Sequence, residues 1–121
     1  MSNESIRNEQ KYDPEERTAQ FGEEIIRFSK EMPKNEVTRP LINQLVTCGT
    51  SIGANYCEAD DAESRKDFKH KIGICKKEAR ETKHFLRMST IAVESMQDRA
   101  KKLWNEAREL NLIFNSIYKK L

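Results

Sequence analysis

The sequence predicts an all-α protein, a single-domain, antiparallel up-and-down four-helix bundle. Every periodic apolar run repeats at spacings of 3 and 4, and none alternates as a strand would. The runs are divided by short polar joints that carry helix start and stop signals. The chain has 121 residues with only 4 Gly and 3 Pro, which suits one helical domain rather than a turn-rich β-sandwich or a disordered chain.

Residues 1–12 are polar and are expected to form a flexible tail, leaving 13–121 for the bundle. Asp13 followed by Pro14 reads as an N-cap with proline at the first helical position. Phe21, Ile25, Phe28 and Met32 then share one face of a helix over 14–32. Pro33 ends it, because the residue before a proline avoids the helical region.

A second helix is expected over 38–62, capped by Thr38 or its neighbour, with Pro40 in its first turn. Leu41, Leu45, Cys48, Ile52, Asn55 and Ala59 keep the helical rhythm. Gly49 and Gly53 each weaken this helix by about 1 kcal/mol relative to Ala. They lie on one face, where they would admit a neighbouring backbone at close range. The acidic run Glu58 to Glu63 closes the helix.

Ser64 with Asp67 resembles a capping box and starts a third helix, expected over 65–95. Phe68, Ile72, Cys75, Ala79, Thr82 and Leu86 form its core stripe. Ile74, Phe85 and Met88 form a second stripe to one side, so the helix is expected to be covered there by another subunit. A fourth helix, over 98–120 and capped by Asp98, carries Ala100, Leu103, Ala107, Leu110, Phe114, Ile117 and Leu121 as a bundle seam. Trp104, Ile113 and Tyr118 stand beside that seam as candidates for a second contact face.

The charge is uneven. Lys and Arg number 22 and Asp and Glu 20, a net of +2, yet residues 1–63 are strongly acidic and residues 64–121 strongly basic. The third helix holds Arg65, Lys66, Lys69, Lys71, Lys76, Lys77, Arg80, Lys83 and Arg87. Such a stripe tracks phosphates, or it is neutralised within the bundle by the acidic first half and by helix pairs such as Lys77 with Glu81. The aromatic interleaving typical of single-strand binders is not expected, since Phe68 and Phe85 fall on apolar stripes.

No run of 18 apolar residues exists, so no membrane span is expected, and the first 15 residues lack the apolar region of a Sec signal peptide. Cys48, Cys57 and Cys75 have neither zinc-ribbon nor disulfide spacing and read as free packing thiols in a cytoplasmic protein.

Candidate chemistry is sparse. A di-metal bundle site needs two Glu-x-x-His motifs, and only Glu81-x-x-His84 is present, while the second helix offers only Glu58 near its end. Cys75 is five residues from His70, out of helical register for a dyad, and Ser51 lacks a nucleophile elbow. No catalytic residue, metal site or cofactor is expected. Asn55 on the core rhythm reads as a register-fixing polar residue, with Glu78 or Glu81 as candidate partners across the bundle.

Thr38-Arg39-Pro40-Leu41-Ile42-Asn43-Gln44-Leu45, Gly49-Thr50-Ser51-Ile52-Gly53-Ala54-Asn55-Tyr56-Cys57-Glu58-Ala59 and Ser64-Arg65-Lys66-Asp67-Phe68 through Cys75-Lys76-Lys77-Glu78 and Glu81 carry a resemblance. Over about residues 12 to 121 the chain resembles the bacterial four-helix-bundle family named for open reading frames in 23S rRNA intervening sequences. The resemblance implies a left-handed up-and-down bundle assembled as a homopentamer, with no established catalytic residue. A branch with the same fold, the accessory variability determinant of diversity-generating retroelements, works beside a reverse transcriptase and binds nucleic acid through a basic surface. Phe85, where many relatives have Trp, is a mild departure in an apolar slot.

The reading that follows is a non-enzymatic homo-oligomer with RNA, or a nucleic-acid enzyme, as partner. Arg65, Lys66, Lys69, Lys76, Lys77, Arg80, Lys83 and Arg87 are its candidate phosphate contacts, and Ile74, Phe85, Met88 and Trp104 its candidate oligomer interface. The alternative is a protein adaptor that uses apolar patches around Trp104 and Phe85. A metal-dependent enzyme built on Glu58, Glu81 and His84 stands third.

Overall fold

The computed structural model describes residues 13–121. The expected tail, 1–12, lies outside the described residues. Four helices follow in order: α1 (Pro14–Glu31), α2 (Thr38–Asp60), α3 (Arg65–Ala92) and α4 (Gln97–Lys119). Short joints make each helix pack against the next, and α4 returns to α1, giving a single-domain up-and-down bundle. The backbones of diagonal helices stay apart, so the ring order is α1-α2-α3-α4, and only side chains such as Tyr56 of α2 and Phe114 of α4 meet across the core.

Local chemistry sets the ends. The Asp13 carboxylate accepts from the Glu15 N–H at 3.0 Å, with Pro14 at the first helical position. Lys34 reaches back to donate to the carbonyls of Ser29, Lys30 and Met32, satisfying the C-terminal end of α1. The start of α2 departs from expectation. Thr38 is inside the helix and fully buried, and its hydroxyl donates to the Pro33 carbonyl. Asn35 does the capping instead: its side-chain oxygen accepts from the N–H groups of Val37 and Thr38, both at 2.9 Å. Ser64 caps α3 by accepting from the Asp67 N–H at 3.0 Å.

Two further boundaries differ. Helix α3 stops at Ala92 rather than 95, because Glu94–Met96 tighten into a 3₁₀ turn. Asp98 makes no cap; it sits in the first turn of α4, where its charge complements the helix dipole. Gln97 secures the joint by donating to the Thr90 carbonyl at 3.0 Å.

The core is the one the rhythms mark out. Phe21, Ile25 and Phe28 of α1, with Met32 just past its end, meet Leu45, Ile52 and Ala59 of α2, Ile72, Cys75, Ala79 and Leu86 of α3, and Ala100, Leu103, Ala107, Leu110 and Phe114 of α4. Burying one such Leu, Ile or Phe contributes roughly 1.5–3 kcal/mol. Gly49 faces Ile25, and a Cβ there would lie 2.8 Å from its Cγ2. Gly53 similarly faces Thr18. The two glycines therefore serve close packing of α1 on α2.

Candidate nucleic-acid interface

The core stripe of α3 has two flanks of different chemistry. One residue ahead of each core position lies a second stripe: Lys66, Lys69, Gly73, Lys76, Arg80, Lys83 and Arg87, spaced 3 and 4 along the helix. It runs about 31 Å. This flank faces α4, whose matching stripe is Lys101, Trp104, Arg108, Asn111, Asn115 and Tyr118. Neither stripe contains a carboxylate.

Contacts between α3 and α4 fix the register. The Asn111 side-chain amide donates to the Lys76 carbonyl at 2.8 Å, and the Lys76 ammonium donates to the Asn115 side-chain oxygen at 3.4 Å. The Lys69 and Lys76 ammoniums lie 4.9 and 4.4 Å from the centre of the Tyr118 ring. Tyr118 can lie there because Gly73 offers no side chain; a Cβ at Gly73 would be 3.3 Å from the ring. Farther along, Lys83 stands 5.7 Å from the Trp104 ring centre. Lys76, Lys77, Arg80, Lys83, Asn111 and Asn115 line an open groove of about 510 Å³.

Six of the eight candidate cations (Lys66, Lys69, Lys76, Arg80, Lys83 and Arg87) belong to this stripe. Lys77 lies one position outward and lines the groove's edge. Arg65, the first residue of α3, lies off the stripe. Among the described residues none of the eight forms an ion pair. The expected Lys77–Glu81 pair is not formed, and Lys71 turns the other way to Glu58 at 2.6 Å. Internal neutralisation occurs elsewhere: Arg17 of α1 holds Glu106 and Glu109 of α4, both at 2.6 Å, and Arg99 of α4 pairs with Glu31 of α1.

Helix α3 itself carries no aromatic among the cations of this stripe, and the rings beside them, Tyr118 and Trp104, come from α4. Sequence reading also missed Asn111, Asn115, Lys101 and Gly73. The one-residue offset of these stripes from the core seams was the available signal; which flanks face each other is a tertiary fact.

A profile of the 23S rRNA-intervening sequence protein family matches residues 10–116. The chain belongs to this family. Among solved structures it is similar to a protein with unknown function from the S23 ribosomal protein family of Bacteroides thetaiotaomicron VPI-5482. The two are 30% identical, the match covers 88% of this chain and 99% of that one, and the TM-score is 0.79. No curated protein matches the sequence.

The other flank of α3 in this family member, toward α2, is mixed. It carries Lys71, Ile74, Glu78, Glu81, Phe85 and Met88. Burial, reinforced by Glu81, pushes the Glu78 carboxyl above its ordinary range. Phe85 borders a groove with Gln44, Lys77, Arg80, Glu81 and His84. Trp104 lines a separate niche on the opposite flank with Leu86, Arg87, Thr90 and Lys101. The apolar candidates therefore do not form one patch: Ile74, Phe85 and Met88 share a flank and Trp104 stands apart. All four are half-buried.

Asn55 is half-buried rather than in the core, and its amide donates to the Ser51 carbonyl and hydroxyl, both at 2.9 Å, not to Glu78 or Glu81. Glu58 is engaged with Lys71, and His84 is exposed, edge-on to Phe85. Among the described residues no group of three or more His, Cys, Asp or Glu could hold a metal ion. Cys48 and Cys75 are buried and Cys57 is exposed, a departure from three packing thiols. Burial pushes the Cys75 thiol up to about 12, so it is no nucleophile at neutral pH. Among the described residues no helix is long and apolar enough to cross a membrane.

Proposed function

We propose that this protein is a non-enzymatic, homo-oligomeric scaffold of the cytoplasm that binds RNA or another nucleic acid through the α3–α4 groove. The observation that carries the reading is a seam about 31 Å long, basic on both walls, with no carboxylate on either. Unpaired cations held at fixed spacing on packed helices neutralise phosphates without first breaking internal ion pairs, and each contact releases a counterion. Asn111 and Asn115 keep the two walls in register.

Self-association is supported by Ile74, Phe85 and Met88, which leave an apolar flank only half covered within one chain. Light scattering on the eluting protein tests it. A mass near five subunits is expected, and a monomer would contradict it.

The binding claim is tested by Lys76→Glu combined with Arg80→Glu. Both side chains line the groove rather than the core, so the variant is expected to stay folded, to melt slightly below the parent as Lys76 gives up Asn115 and Tyr118, and to lose binding to RNA at low salt. Unchanged affinity would sink the proposal.

A further inference from the structure

We propose that the strand taken by the groove is single-stranded, and that one of its bases stacks on Trp104 in a niche near the C-terminal end of α3. The proposal rests on the nucleic-acid reading above and adds the strand class and the stacking residue.

The niche holds about 300 Å³ and is lined by Leu86, Arg87, Thr90, Lys101 and Trp104. Its inner wall is apolar, an indole beside a leucine. Its rim carries two cations from different helices, Arg87 and Lys101, and Lys83 stands over the indole at 5.7 Å from the ring centre. An apolar slot with an aromatic wall and a cationic rim suits a ligand with a flat ring and an adjacent anion. A nucleotide with an unpaired base has both. A duplex keeps its bases stacked inside and offers a groove wall chiefly phosphates, which gives the indole nothing to do.

A second platform lies on the same wall. Tyr118 is 14 residues beyond Trp104, about 21 Å along α4. It rests on Gly73 between the Lys69 and Lys76 ammoniums. The asparagines between the two aromatics keep the groove polar there, with Asn111 and Asn115 both lining it. The sequence of features along the groove is thus aromatic, amides, aromatic, with cations beside each ring. That order fits stacking platforms combined with a backbone-tracking charge, the recurring design of single-strand sites.

Trp104 is the sole tryptophan, so its emission reports on this niche alone. The full chain at low salt is titrated with oligo(U) of about 12 nucleotides and with a duplex of equal length. Binding is followed by anisotropy of the labelled strand and, separately, by Trp emission. Oligo(U) is expected to bind more tightly than the duplex and to quench the emission in step with binding. Trp104→Ala is expected to lose about 5- to 150-fold in affinity for oligo(U). Trp104→Phe, which keeps a ring in the slot and guards against misfolding of the alanine variant, is expected to bind within a few fold of the parent.

Single-strand binding with unchanged emission, or a duplex that binds as tightly, would overturn the stacking proposal and leave the basic groove intact. Equal quenching by poly-glutamate would overturn it as well, since that anion carries no base. No binding of any nucleic acid at low salt would overturn the reading on which the proposal rests.

Discussion

Helix α4 is held on its two sides by opposite means. Toward α1 the packing is sparse, and ion pairs close it at both ends: Arg17 to Glu106 and Glu109, Arg99 to Glu31. Toward α3 the packing is dense, and the bordering charges are all of one sign. There the helices are joined by amide hydrogen bonds and by lysine ammoniums over aromatic rings. The seam that most needs electrostatic help receives it, and the seam that packs well on apolar contacts carries the unmatched charge. Stability and charge complementarity are therefore separable along one helix, and the unmatched side is the one left available to an external polyanion.

The comparison can be broken most forcefully at α1. Gly49→Ala places a methyl group 2.8 Å from Ile25 Cγ2, so the buried Ile25 of α1 must give way. A loss of about 1–3 kcal/mol is expected by denaturant unfolding, despite the better helix propensity of Ala. A smaller effect is expected from Arg17→Ala. Its side chain is only 18% exposed and holds two carboxylates that would otherwise repel. About 1–2 kcal/mol should be lost, and less of it at 1 M salt, where exposed charges are screened. The smallest effect on stability should come from Lys76→Met. It removes one cation from a like-charged row, which offsets the lost contacts with Asn115 and Tyr118, and the change should stay within about 0.5 kcal/mol. The same variant should weaken RNA binding measurably. If Arg17→Ala and Lys76→Met destabilise equally, the two seams do not differ as described.

Most of the fold was legible because it is written within single helices. The spacing of Phe21, Ile25 and Phe28, the Asp13-Pro14 start and the Ser64 cap act over one turn, and local pattern finds them. Failures came where a choice depended on neighbours. Thr38 is a good capping residue by type, but burial claimed it and Asn35 took the role. Asn55 sits on the core rhythm yet lies only half-buried and bonds within its own helix. The basic residues of the candidate site were visible one by one on α3. Their pairing with Trp104, Asn111, Asn115 and Tyr118 was not, because flank-to-flank matching depends on ring order in the bundle, which no intrahelical spacing encodes.

The measurement that tests the central claim most directly is the salt dependence of binding between the full chain and a labelled single-stranded RNA. If the carboxylate-free groove meets phosphates with at least four of its cations, log K should fall linearly with log salt at a slope of about −3 or steeper. A flat dependence, or no binding at low salt, would contradict the account.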